Sequence, residues 1–150
     1  MMKYSQDESG FEFLEHTADV KVKCWGKSPE DAFSQAAYGL MATITPDLNL
    51  IEKKIHKTLE IEAEDKEALL YDFLSEFLFL FDVERLVFGE INVRSIKQKK
   101  GDFFLTAALV GEEFKREKHE LGTEVKAITY SYMKIEEKED FVIIEIVFDI

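Results

Sequence analysis

Two segments of the sequence carry oxygen ligands where strands must begin or end. The first, Glu15-His16-Thr17-Ala18-Asp19, is a corner between two strand-like runs, and four of its five residues offer oxygen or imidazole groups. Asp19 directly precedes a strand whose alternate residues must face a core, so its carboxylate is held near a rigid sheet end. The second is the closing run 141–150, FVIIEIVFDI, β-forming throughout with no polar tail after it. It sets the Asp149 side chain and the α-carboxylate of Ile150 together at the end of a packed strand. Two carboxylates that close repel, and one of them takes up a proton unless a cation lies between them. With Asp19 added, the set becomes three oxygen donors. That suits a hard divalent cation, Ca²⁺ first with Mg²⁺ or Mn²⁺ as alternatives, better than zinc. Both segments also have ordinary readings: a turn in which Asp19 or Thr17 bonds nearby backbone, and a terminus that is simply solvated. Nothing local places Asp19 beside Ile150.

A third segment, Leu121-Gly122-Thr123-Glu124-Val125-Lys126-Ala127-Ile128-Thr129-Tyr130, begins with a glycine suited to a sharp turn into a strand. Glu124 and Lys126 put polar groups near that entry, or form a surface ion pair of little energetic weight. Asp72 and Glu76 stand four apart in a mostly apolar helical run. Like charges at that spacing are mildly unfavourable, so either both face water or something cationic meets them.

Other chemistry lacks its signatures. The sequence has no phosphate-binding glycine loop, dinucleotide fingerprint, HExxH pair, Gly-x-Ser-x-Gly elbow or CxxC. Its three histidines, 16, 56 and 119, are far apart. Cys24 is the single cysteine, which excludes a disulfide framework and a thiolate zinc cluster. It sits in a strand-like run, where a small buried hydrophobe is its expected role. Nineteen basic residues against thirty-one acidic ones give a net charge of −12. Nucleic-acid binders draw their affinity from phosphate neutralisation, so direct RNA binding is not expected, and any role near RNA runs through a protein partner. The same charge also keeps a chain with 13 phenylalanines soluble. The polar N-terminus lacks a signal core, and the apolar stretch 68–81 is too short to cross a bilayer. A cytoplasmic protein with no membrane contact is expected.

The elements that must position these groups read as follows. Residues 1–10 form a flexible tail and 11–150 one domain. Strands are expected over 11–14 and 20–25, then a helix opened by Ser28, Pro29 and Asp31 and running to about 43. Ala32, Phe33, Ala36, Ala37, Leu40 and Met41 recur along it at helical spacing. A strand over 59–63 precedes a second helix from Asp65 to about 82, whose apolar residues nearly surround it. Two hairpins close the chain: 85–96 with 103–110, and 127–135 with 141–148. Without regular βαβ alternation, the order predicts an α+β domain, two helices packed on mainly antiparallel β-sheet.

Taken together, these segments resemble the archease family. Glu15–Asp19 resembles its N-terminal motif, 122–130 its second signature, 142–150 its closing strand, and Leu70-Tyr71-Asp72-Phe73-Leu74-Ser75-Glu76 its central helix. Order, spacing and length match across 11–150. Ser131 departs from the pattern, standing where many members carry a histidine. The resemblance implies a protein with no catalysis of its own. It would activate the RtcB-type tRNA-splicing RNA ligase, promoting its guanylylation by GTP and its multiple turnover in joining tRNA exons. A chaperone-like role beside an RNA methyltransferase is the alternative. It further implies a metal site at Asp19, Asp149 and Ile150. The surface that meets the partner would comprise His16, Glu124, Lys126, Asp72 and Glu76, with Lys126 the foremost contact.

Overall fold

The computed structural model describes residues 8–15 and 18–150. In chain order it forms β1 (Gly10–Leu14), β2 (Val20–Gly26), α1 (Pro29–Ile44), a short 3-10 turn (Leu48–Leu50), β3 (Ile55–Ala63), α2 (Lys66–Glu84), β4 (Leu86–Lys99), β5 (Asp102–Glu113), β6 (Ala127–Lys138) and β7 (Phe141–Asp149). The strands make two sheets, ordered β1-β2-β7-β6 and β3-β5-β4, and every pairing is antiparallel. The two helices bridge the sheets. α1 packs on β2 and β4, whereas α2 packs on β6 and β3, each an edge strand of its sheet. This is the α+β arrangement expected, with the sheet divided in two. Of the segment expected as a tail, Gly10 belongs to β1 and residues 1–7 lie outside the described residues.

α1 forms where its signals stand. The Asp31 N–H donates to Ser28 Oγ at 3.1 Å, Pro29 occupies the first turn, and Thr45 caps the C-terminus one residue beyond Ile44. All six of its expected apolar residues are buried. α2 is capped by Asp65, whose carboxylate accepts the Ala68 N–H at 2.7 Å. It ends at Arg85, a left-handed residue with φ 58° whose N–H reaches the carbonyls of Leu80 and Phe81. α2 is not enclosed on all sides. Leu69, Leu70, Phe73, Leu74, Phe77 and Leu78 are buried, but Phe79 and Val83 are exposed. The two edge strands flank the helix without roofing it, so the side that carries Phe79 and Val83 stays open to solvent.

Phenylalanines lock the core. The rings of Phe73 and Phe77 meet edge-to-face at 5.2 Å, and those of Phe77 and Phe88 at 6.0 Å, the geometry that ring quadrupoles favour. Cys24 is buried as expected, and burial pushes its thiol pKa up, which leaves it an inert small hydrophobe. The hairpins run longer than the sequence pattern, β4 and β5 turning through Lys100-Gly101 with φ positive at both. β6 is interrupted. Thr129 pairs with Val147 but Lys134 with Glu145, so 130–133 bulge out opposite a single residue, Ile146. Tyr130 turns out of the strand there and stacks on Tyr71 at 4.4 Å.

Candidate functional site

Strand register joins the beginning of the sequence to its end. Val20 pairs with Phe148, so Asp19, just before Val20, and Asp149, just after Phe148, leave the sheet side by side. On the other side of β7, Ala127 pairs with Asp149, and the Lys126 N–H donates to the Asp149 carbonyl at 2.7 Å. The three residues expected to share a cation, together with the backbone of Lys126, therefore gather at one end of the four-stranded sheet. Asp19 follows Ala18, whose φ of 80° is a left-handed conformation that costs a non-glycine residue roughly 1–2 kcal/mol. Strain of this kind is held only where the surroundings over-determine it.

The segment before Lys126 is fastened to α1. A helix leaves its last four carbonyls without intrahelical partners. Here the Gly122 N–H donates to the Ile44 carbonyl at 2.7 Å and the Thr123 N–H to the Thr43 carbonyl at 2.8 Å, while the Thr45 hydroxyl donates to the Glu120 carbonyl at 2.7 Å. A Cβ on Gly122 would collide with the Thr43 carbonyl oxygen and stand 3.1 Å from that of Ile44, so only glycine lets the loop reach the helix end. The result is a shallow cleft of about 430 Å³ in which Glu15 and Asp19 of the first motif face Gly122 and Thr123 of the second.

The other candidate residues are spread more widely. His16 lies outside the described residues. Glu124 is exposed and lines an adjoining cavity of about 260 Å³ with Asp82 and Arg85, whose guanidinium stacks on Phe81 at 4.4 Å. Lys126 is exposed at the sheet end. Asp72 and Glu76 line a different cleft, shared with Glu60 and Glu62 of β3. Asp19, Asp149 and Ile150 stand at the same sheet end by strand register, and oxygen donors of this kind suit a hard divalent cation. Among the described residues no three His, Cys, Asp or Glu side chains gather into a metal cage. A cation there would rest on two side chains and Ile150.

One polar cluster escaped sequence reasoning. Glu112 and His119 are both 2% exposed. The Glu112 carboxylate accepts the Glu52 N–H at 2.8 Å, His119 Nε2–H at 2.8 Å and the Lys118 ammonium at 2.9 Å. The Lys115 N–H donates to His119 Nδ1 at 2.9 Å, which leaves the ring proton on Nε2, pointed at Glu112. Both imidazole nitrogens are thereby committed, so the pair pins the loop after β5 and has no free base for proton transfer. In the sequence these residues are scattered charges in a polar stretch, and no local pattern marks them.

Comparison with known proteins follows the same bounds. The model of the archease protein family matches residues 11–150. A relative from Pyrococcus furiosus, named protein archease, is 47% identical over 130 residues, covering 87% of this chain and 90% of its own length. The solution structure of a Methanobacterium thermoautotrophicum protein superposes with a TM-score of 0.79 at 34% identity, covering 94% of this chain and 99% of that one. A Thermotoga maritima crystal structure described as an archease and possible chaperone shares the fold, with a TM-score of 0.57 at 23% identity over 91% of this chain and 94% of that one. Among the described residues no helix is long and apolar enough to cross a membrane.

Proposed function

This chain belongs to the archease family, and from that premise we propose that it activates an RtcB-type tRNA-splicing RNA ligase. It promotes the ligase's guanylylation by GTP, and hence its multiple turnover in exon joining, with no reaction of its own. The observation that carries this reading is the sheet end where Asp19, Asp149 and Lys126 converge. An activator needs a surface of fixed shape and charge there, and the register of three strands with the capped end of α1 provides one. Asp19, Asp149 and Ile150 would hold a divalent cation, Ca²⁺ or else Mg²⁺ or Mn²⁺, which supplies positive charge between otherwise repelling carboxylates. Lys126 contacts the ligase or its nucleotide, Glu124 borders the same contact, and His16 is assigned to that surface by the family resemblance alone. With a net charge of −12, the protein approaches the ligase's basic RNA-binding surface, not the RNA, and long-range charge mainly speeds that encounter.

The test is the rate of ligase guanylylation by GTP and Mn²⁺ with and without the protein. Wild type accelerates it, whereas Asp19→Ala leaves the rate of the ligase alone at any protein concentration. Asp19 lies outside the buried core, so thermal melting should register a change of less than about 2 kcal/mol. Normal activation by Asp19→Ala removes the sheet end from the mechanism. Lys126 separates charge from shape. Lys126→Ala abolishes activation, and Lys126→Arg, which swaps a compact ammonium for a planar fork, restores it only if charge alone is needed. Full activation by both variants would make Lys126 an ordinary surface lysine. The chaperone reading, favoured by the description of the Thermotoga neighbour, predicts instead an unchanged guanylylation rate and reduced aggregation of an RNA methyltransferase.

A further inference from the structure

The open side of α2 is patterned. Asp72, Glu76, Phe79 and Val83 recur at i, i+4, i+7 and i+11, so they share one face over roughly 16 Å of helix. Phe79 is 52% exposed and Val83 63%, one turn apart on a helix that otherwise buries its large apolar residues. Beside them the edge strand β3 contributes Glu60 and Glu62, and these four carboxylates with Phe79 line a cleft of about 480 Å³. None of the four has a lysine or arginine partner within ion-pair distance among the described residues. The nearby Lys57 is engaged by Glu84 and Lys66 by Glu137. Lys97 and Lys99 share the next groove with Glu60 and Glu62 but make no ion pair with them. Exposed apolar side chains framed by carboxylates that form no ion pair fit a partner of opposite charge with an apolar anchor.

We propose that this face of α2 docks a lysine- or arginine-rich amphipathic segment of the partner protein, its cations against Glu60, Glu62, Asp72 and Glu76 and an apolar side chain against Phe79. A second copy of this chain is a poor occupant, because it brings the same −12 charge. The stripe runs toward Asp82 and Arg85, which line the cavity closed by Gly122–Val125. A segment lying along it is led to the loop that faces Asp19. The proposal deepens the ligase-activator reading and rests on it.

The experiment titrates the RtcB-type ligase with wild type, Phe79→Ser and Glu76→Lys, measuring both the dissociation constant and the guanylylation rate. Each substitution is at a surface position, and thermal melting checks that the fold is kept. Binding should weaken about ten-fold or more for Phe79→Ser, and Glu76→Lys should also flatten the salt dependence of association. Saturating either variant should recover the wild-type plateau, a behaviour Asp19→Ala cannot show. If both variants bind as wild type does while wild type activates, the docking face is refuted and the activator reading stands. If wild type neither binds nor activates the ligase, both fall. Self-association of wild type that both variants abolish would assign the face to a second copy and overturn the proposal.

Discussion

Gly111→Ala should destabilise the protein more than any other single added methyl group, by roughly 3 kcal/mol or more, and in the strongest outcome it should fail to fold. Gly111 is in β5, the central strand of the three-stranded sheet, opposite Ile55 of β3 and Phe88 of β4. A Cβ built there would overlap the Val87 carbonyl oxygen and stand 2.7 Å from the Phe88 Cα. Both obstacles are backbone, so no rotamer change relieves them. The register of β4 shifts between Phe88 and Glu90 at that level, and the irregularity brings the neighbouring strand close. Gly111 also supplies the carbonyl that accepts the Lys54 N–H at 2.9 Å. Making room for the methyl means displacing β4, and Phe88, a fully buried partner of Phe77, moves with it. For a chain of this size, 3 kcal/mol lowers the melting temperature by roughly 10 °C. A shift of only a degree or two would mean that β4 adjusts freely at this level.

The next residue governs the response to acid. Burial by itself would push the Glu112 pKa up. The Glu52 N–H, Lys118 and His119 outweigh that and hold it down to about 2, from 4.5. A folded-state pKa below the unfolded one means that the unfolded chain takes up the extra proton. The stabilisation is therefore fully present above about pH 4.5 and lost as pH falls toward 2. Glu112→Gln keeps the shape and removes the charge. The unfolding free energy from denaturant titration should drop by about 3 kcal/mol at neutral pH, the scale for breaking a buried charge cluster, and the acid limb should become shallower. The two proteins should converge near pH 2. Parallel pH profiles would show that other carboxylates control acid stability.

Local chemistry made some of the fold readable and left the rest silent. Ser28-Pro29 with Asp31 announced α1 because capping is decided within four residues. Apolar spacing identified the buried residues of α2 correctly, but the expectation that apolar residues nearly surround it overstated their reach, since the helix carries Phe79 and Val83 on an exposed side. The alternation over 127–135 concealed the bulge, because Tyr130, Ser131 and Tyr132 resemble strand residues until the pairing with β7 is known. The meeting of Asp19 with Asp149 depends on β2 lying beside β7, a pairing between residues more than 100 positions apart that no window of sequence encodes. Only the family resemblance supplied it. The Glu112–His119 pair had no such help, since neither residue belongs to a motif.

The strand order also sets a timetable for synthesis. β3, β4 and β5 come from the continuous stretch 55–113, so their sheet can assemble while the ribosome is still elongating the chain. The other sheet cannot. Its inner strand β7, residues 141–149, is made after the other strands, yet it joins β2 to β6. Until it emerges, β2 has only the short β1 beside it, and the first motif has been waiting since residue 15. Between the completion of β5 at residue 113 and the arrival of β7, a nascent chain can therefore be only half folded. A truncated product that lacks β7 would be a target for degradation, not a weaker version of the protein.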